Sequence, residues 1–291
     1  MNLLFDAILW ILAAVCTAGV AAVAVWLVIG PKRGGNAARG GILVYHRVEK
    51  GPVLGSTWIG ARGFRRQMSF LLNAGYKCVD LDAKLLSGST KEFCITFDDA
   101  LLCLYENAVP VLDALGLTAT FYIVSGYIGR LSHWDVYQRP HMDQDQIREL
   151  LRKGHRIGSH TATHPDLRRL SDTELRTELE GSKADLENRF GVAINSIAYP
   201  FGFYNDRVAQ AAARAGYGSA LTINHPLQKP VLERMAIPAN AVYIFDSLAD
   251  LEAKASANSL YWMQELKGKL LNRFTAGTPL VVGRPYTGKL P

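Results

Sequence analysis

Residues 93–99 read Phe93-Cys94-Ile95-Thr96-Phe97-Asp98-Asp99, an apolar, strand-forming run that ends in two carboxylates. Further along, Arg156-Ile157-Gly158-Ser159 leads in the same way into His160-Thr161-Ala162-Thr163-His164, which sets two imidazoles four residues apart just after a strand. Working outward, β-rich runs at 42–45, 93–97, 119–124, 156–159, 196–199 and 218–222 alternate with helical patterns at 62–74, 101–115, 143–153, 172–190 and 206–215. That alternation is the signature of parallel βα units. The pattern at 172–190 is the best marked: Ser171 and Glu174 have capping-box spacing, and Leu175, Leu179, Leu186 and Phe190 recur on one face as a core stripe. At 291 residues the chain has room for roughly two domains of ~150, or for one large barrel and an appendage. It carries no internal repeat, no P-loop and no dinucleotide-binding glycine fingerprint, which excludes the commonest nucleotide-binding readings.

Adjacent carboxylates are common on surfaces, where one of them simply favours a helix N-terminus. The two histidines change the reading. Imidazoles at that spacing can reach one ion across a helical turn, and a catalytic zinc takes three protein ligands and leaves a fourth position to water. One carboxylate of the Asp98-Asp99 pair completes a two-His, one-Asp set. The other is then available to take a proton from water that the cation has acidified to a pKa of about 7.

Thr96-Phe97-Asp98-Asp99 and His160-Thr161-Ala162-Thr163-His164 resemble the first two motifs of the polysaccharide deacetylases, the NodB-homology group or carbohydrate esterase family 4. The resemblance runs from about Ile42 to Arg234. It implies an α/β fold, a distorted (β/α) barrel. It also implies a divalent metal, usually Zn²⁺, and hydrolysis of an N-acetyl group on an amino sugar. By position Asp98 is the expected general base, and Asp99, His160 and His164 the expected metal ligands. The run from Ile42 to Val48 and the segment Ala198-Tyr199-Pro200-Phe201-Gly202 are similar to the poly-N-acetylglucosamine deacetylase subgroup. That subgroup makes His46 a second catalytic candidate, and it makes Tyr199, Pro200, Phe201 and Gly202 the expected groove wall, with a backbone N–H available to an oxyanion.

Three departures accompany the resemblance. The commoner family pattern has an Arg, paired with the catalytic Asp, where this chain has Ala198, and Arg234 is the expected substitute. The late Leu-x-His motif is absent, which leaves His46 or His225 to protonate the leaving amine, His46 being favoured. Asp143-Gln144-Asp145 stands where relatives carry Trp-Asp, and Trp134 and Tyr137 are the nearby aromatics that a sugar ring can stack on. These losses keep open an inactive carbohydrate-binding relative as an alternative.

The apolar residues are unevenly spread, with 25 of them in the first 30 positions. Residues 7–29 hold no charge, and 23 helical residues rise about 34 Å against a hydrocarbon core of ~30 Å, so residues 1–30 read as a retained transmembrane anchor. A glycine-rich linker at 31–41 joins it to a barrel at 42–245, and residues 246–291 read as a helical extension. Lys32, Arg33 and Arg39 lie on the C-terminal flank and favour a cytoplasmic domain, whereas the family resemblance favours the outside. A cytoplasmic domain would act as a deacetylase or deformylase on a lipid-linked amino sugar. Outside the anchor, which holds Cys16, the cysteines are Cys78, Cys94 and Cys103; they lack metal-type spacing, and their odd number leaves at least one free thiol. The net charge of +6 is modest once the basic flank is set aside, and no nucleic-acid partner is expected.

Overall fold

The computed structural model describes residues 40–53, 55–132, 134, 138–223 and 232–275. The expected anchor at 1–30 and most of the linker at 31–41 lie outside the described residues, as do Tyr137, His225 and the last part of the C-terminal extension. No helix among the described residues is long and apolar enough to cross a membrane.

Ten strands are present among the described residues: β1 (Ile42–Tyr45), β2 (Arg47–Glu49), β3 (Trp58–Gly60), β4 (Lys77–Cys78), β5 (Glu92–Phe97), β6 (Thr120–Ile123), β7 (Arg156–Ser159), β8 (Ser196–Ala198), β9 (Ser219–Ile223) and β10 (Ile237–Ala241). Seven of them form a closed parallel barrel in the order β1-β10-β9-β8-β7-β6-β5, with β5 pairing back onto β1. β4 adds to the beginning of β5, and β2 and β3 pair apart from the barrel. Because every barrel strand runs the same way, all the strand C-termini gather at one rim.

Alternate strand residues face two different cores. Ile42, Val44, Cys94, Tyr122, Ala198, Leu221, Ile237 and Ala239 pack together in one cluster. Leu43, Tyr45, Ile95, Phe97, Phe121 and Ile197 pack in another with helix residues such as Phe64, Met68 and Leu71. This two-sided burial is why the strands read as apolar runs, and truncating one of these large side chains to Ala typically costs 2 to 5 kcal/mol, roughly. Gly158 in β7 has a packing reason: a Cβ there would lie 2.4 Å from the Tyr122 ring, whose hydroxyl donates to Ser196 Oγ at 3.2 Å.

The structure modifies several sequence expectations. β10 closes the barrel although Pro238 and Asn240 argue against a strand. The Asn240 side chain is absorbed by bonds with the Ile42 carbonyl and the Tyr261 hydroxyl. The pattern at 101–115 is two helices, Leu102–Asn107 and Val109–Leu115, with Pro110 in the first turn of the second, where a missing N–H costs nothing. The helix at 172–190 is broken by a π-helical turn at Thr177–Gly181. Among its described residues the extension holds two helices, Leu248–Ser256 and Tyr261–Thr275, separated at the left-handed Ala257. Asp143 caps the helix Gln144–Arg152 in a full capping box.

Candidate active site

Four barrel strands deliver the candidate residues to one rim. β1 ends at Tyr45 and presents His46; β5 ends at Phe97 and presents Asp98 and Asp99; β7 ends at Ser159 and presents His160 to His164; β8 ends at Ala198 and presents Tyr199 to Gly202. The register pairs Tyr45 with Phe97, and the Asp98 N–H donates to the Tyr45 carbonyl at 3.0 Å, so His46 and Asp98 stand side by side. Nε2 of His46 is 3.9 Å from Oδ2 of Asp98.

Asp99, His160 and His164 form the candidate metal group, with one donor atom of each lying within 4.8 Å of the others. Asp99 Oδ1 is 3.7 Å from His160 Nε2 and 3.4 Å from His164 Nε2. Donors about 2 Å from a tetrahedral ion stand roughly 3.3 Å apart, so these separations fit a cation at their focus. The tautomer fits as well. His160 Nδ1 donates to the Ala198 carbonyl at 2.7 Å, which leaves the Nε2 lone pair facing Asp99. Asp98 Oδ1, His46 Nδ1 and His164 Nδ1 are buried without a hydrogen-bond partner, a condition that buried polar atoms rarely tolerate unless another group is to be received. Two neutral imidazoles and a carboxylate suit zinc and its transition-metal neighbours.

Burial dominates the electrostatics. It pushes Asp98 well above the usual carboxylate range, and the neighbouring Asp99 charge adds to the rise. It pulls His46 down to about 4, assisted by Arg47, and His160 to about 3 against the opposing bond to Ala198. His164 is pulled well below the usual imidazole range, first by burial and then by His160. Both imidazoles of the metal group are thus held in the neutral form that a cation requires.

The rim backbone is strained. Among the described residues six non-glycine residues have left-handed φ, and five of them are here: Asp99 (66°), Ala100 (51°), Thr161 (68°), His164 (62°) and Phe201 (59°). Each costs roughly 1 to 2 kcal/mol and persists only where the surroundings over-determine it. Residues 140–142 supply part of that restraint, since Leu102 N–H donates to the Pro140 carbonyl and Met142 N–H to the Ala100 carbonyl. Between them His141 bonds through its ring to the Asp99 main chain and packs against Tyr127 and Trp134. Trp134 lies flat on the His164 ring, with centroids 4.5 Å apart and planes 15° apart, and the Phe201 ring approaches His164 edge-on at 4.7 Å.

Two expectations are corrected. Tyr199 is fully buried, its hydroxyl committed to the Met235 carbonyl at 2.9 Å and its ring stacked on Tyr204; Pro200 is also buried. Of the expected groove wall, Phe201 is the side chain that meets His164, while Gly202 packs so closely that a Cβ would fall 2.5 Å from the Ile223 nitrogen. Arg234 is exposed in a short turn, Glu233–Met235, immediately before β10. It therefore stands at the rim where the strands begin, and it cannot replace the arginine that pairs with the catalytic Asp. His46 occupies the place beside Asp98. His141 and Glu178 lie outside the sequence motifs. Glu178 left one signal: it lies three residues after Leu175, on the apolar face of its helix, with Ser182 four residues further on.

The polysaccharide deacetylase family profile matches residues 87–220, which span Asp98, Asp99, His160, His164 and Phe201. Over those residues the chain is similar to a polysaccharide deacetylase domain. YxkH of Bacillus subtilis (strain 168) is 31% identical over 187 residues, covering 62% of this chain and 63% of its own length. The poly-β-1,6-N-acetyl-D-glucosamine N-deacetylase of Staphylococcus aureus (strain MRSA252) is 27% identical over 138 residues, covering 44% of this chain and 47% of its own. The chain thus spans about half to two thirds of the length of these relatives. Two solved structures share the fold of the deacetylase domain. PplD of Streptococcus pyogenes superposes with a TM-score of 0.64 at 24% identity, over 74% of this chain and 97% of that one. IcaB of Ammonifex degensii gives 0.63 at 24% identity, over 75% and 97%.

Proposed function

We propose that the domain is an amide hydrolase that removes N-acetyl groups from an amino-sugar glycan of the poly-N-acetylglucosamine kind. The observation that carries this reading is the convergence of Asp99, His160 and His164 on one focus, with a second carboxyl, Asp98, next to Asp99. Asp99, His160 and His164 would hold a divalent cation, for which the donor set favours zinc. When bound, the cation polarises the amide carbonyl and acidifies water.

The chain's own residues do the rest. Asp98 takes the proton from the attacking water, its buried Oδ1 being unengaged by protein donors. His46, whose Nε2 stands 3.9 Å from Asp98 Oδ2, relays the proton that Asp98 takes from the water on to the leaving amine. Trp134 and Phe201 enclose His164 and exclude water from that side, and Phe201 offers a sugar ring an apolar edge. The named activity of the staphylococcal relative supports the choice of substrate. Acetate release from acetylated glucosamine oligomers, abolished by a chelator and restored by Zn²⁺, tests the proposal; a metal-loaded chain that releases none is a binding protein instead.

A second reading rests on the anchor. We read residues 7–29 as a single membrane span, and Lys32, Arg33 and Arg39 on its C-terminal flank favour a domain in the cytoplasm. A lipid-linked amino sugar, carrying an acetyl or formyl group, would then be the substrate. A reporter fused after Pro291 tests the side, and acetate or formate release from lipid-linked sugars tests the substrate.

A further inference from the structure

The loop from His160 to His164 must hold two imidazoles on one focus while two of its five residues, Thr161 and His164, occupy left-handed backbone. Left alone, such a loop would relax. Its carbonyls are held from the end of β6, where Ser125 N–H donates to the Thr161 carbonyl and Gly126 N–H to the Ala162 carbonyl. Its amides face the other way, into the helix that follows. There Glu178, 5% exposed, accepts through Oε2 from the N–H groups of Ala162 and Thr163, each at 2.9 Å, and through Oε1 from the Thr163 hydroxyl. Glu178 belongs to the π-helical turn Thr177–Gly181, the kind of interruption that re-aims side chains within a helix. Ser182, the next residue after that turn, adds a relay: its hydroxyl bonds Ser159 Oγ at 2.8 Å, which in turn accepts from the Thr161 N–H at 3.1 Å.

We propose that Glu178 is a positioning residue for the metal, acting through the Ala162 and Thr163 backbone to hold His160 and His164 at a common focus. The inference rests on reading Asp99, His160 and His164 as a metal-holding group. A carboxylate that merely satisfied buried N–H groups would contribute to stability and leave metal binding alone. A positioning residue sets the distance between the two imidazoles, so its loss appears in affinity and coordination geometry.

The test uses the full chain and the variants Glu178→Ala, Glu178→Asp and Glu178→Gln. Three quantities are read: zinc affinity by competition with a chromophoric chelator, the visible spectrum of the cobalt-loaded chain, and amide exchange across residues 160–164 without metal. Glu178→Ala is expected to weaken zinc binding by about 10- to 100-fold, to change the cobalt bands, and to speed exchange at Ala162 and Thr163. Glu178→Gln keeps an oxygen for both N–H groups and an amide that the Thr163 hydroxyl can face, so it is expected to stay within about threefold of the unaltered chain and to restore the spectrum. If the alanine variant fails to fold, Glu178→Asp, one methylene too short, carries the comparison. Unchanged zinc affinity and cobalt bands in Glu178→Ala or Glu178→Asp, or unchanged exchange at the two amides, would overturn the inference. An unaltered chain that binds no zinc would instead overturn the functional reading beneath it.

Discussion

His46 Nε2 faces Asp98 Oδ2 across 3.9 Å because β1 and β5, far apart in sequence, are paired neighbours in the barrel. Neither side chain belongs to the group of three that could hold a cation. In the proposed reading the rim separates two jobs, holding metal and moving protons, and the separation is open to experiment.

Asp98→Asn keeps the shape of the site and removes the proposed base. Turnover is expected to fall by about 10² to 10⁴ with zinc still bound, whereas His160→Ala is expected to lose the zinc. Metal content by atomic absorption, measured beside acetate release, checks the division. Equal zinc loading of the two variants would contradict it.

His141 touches the site through the main chain of Asp99 and through its packing on Tyr127 and Trp134. His141→Phe preserves the packing and deletes the bond. The expected cost is about 1 kcal/mol in unfolding free energy, with weaker zinc binding as the left-handed Asp99 gains freedom. Urea titration and chelator competition read the two effects, and a variant unchanged in both would remove His141 from the site.

Phe201 and Gly202 are adjacent left-handed residues with opposite expectations. Phe201→Gly relieves roughly 1 kcal/mol of backbone strain but takes an aromatic edge from His164, so stability is expected to hold while KM rises. Gly202→Ala drives a Cβ to 2.5 Å from the Ile223 nitrogen, and a loss of more than about 2 kcal/mol is expected. Denaturant unfolding of the two variants side by side is the check.

Burial pushes the thiols of Cys78 and Cys103 up to about 12 and that of Cys94 higher still. Since the thiolate is the reactive form, only about one in 10⁴ of the first two is ionised at pH 8. The folded chain is therefore expected to react slowly with a maleimide at these three positions, and all three are expected to react at once in guanidinium. Fast labelling without denaturant would show that the thiols are more accessible than their packing implies.

The layout of the rim is legible because it is local. Asp98-Asp99 and His160 to His164 each follow directly on a strand, and a strand end in a parallel barrel has one destination. Arg234 misled for the same reason: it is adjacent to a strand, but it precedes β10, and the end of the strand at which a residue sits decides its rim. β10 escaped notice because Pro238 and Asn240 break the apolar pattern, and what satisfies Asn240 is Tyr261, in a helix beyond the barrel. His141 and Glu178 were invisible for another reason. Each bonds the backbone of a distant loop, and backbone partners leave no trace in the residue types.

The closing strand has a consequence for synthesis. His46, Asp98, Asp99, His141, His160, His164 and Phe201 all leave the ribosome before β10 does. Until Ile237–Ala241 slots between β9 and β1, the nascent chain is an open sheet with bare edges there, displaying Ile42, Val44, Cys94 and Leu221 to water. A chain stalled or cut in that interval would own every group of the active site and still be sticky and inactive. Aggregation during expression should therefore track truncations that stop short of Ala241 more closely than substitutions at the rim.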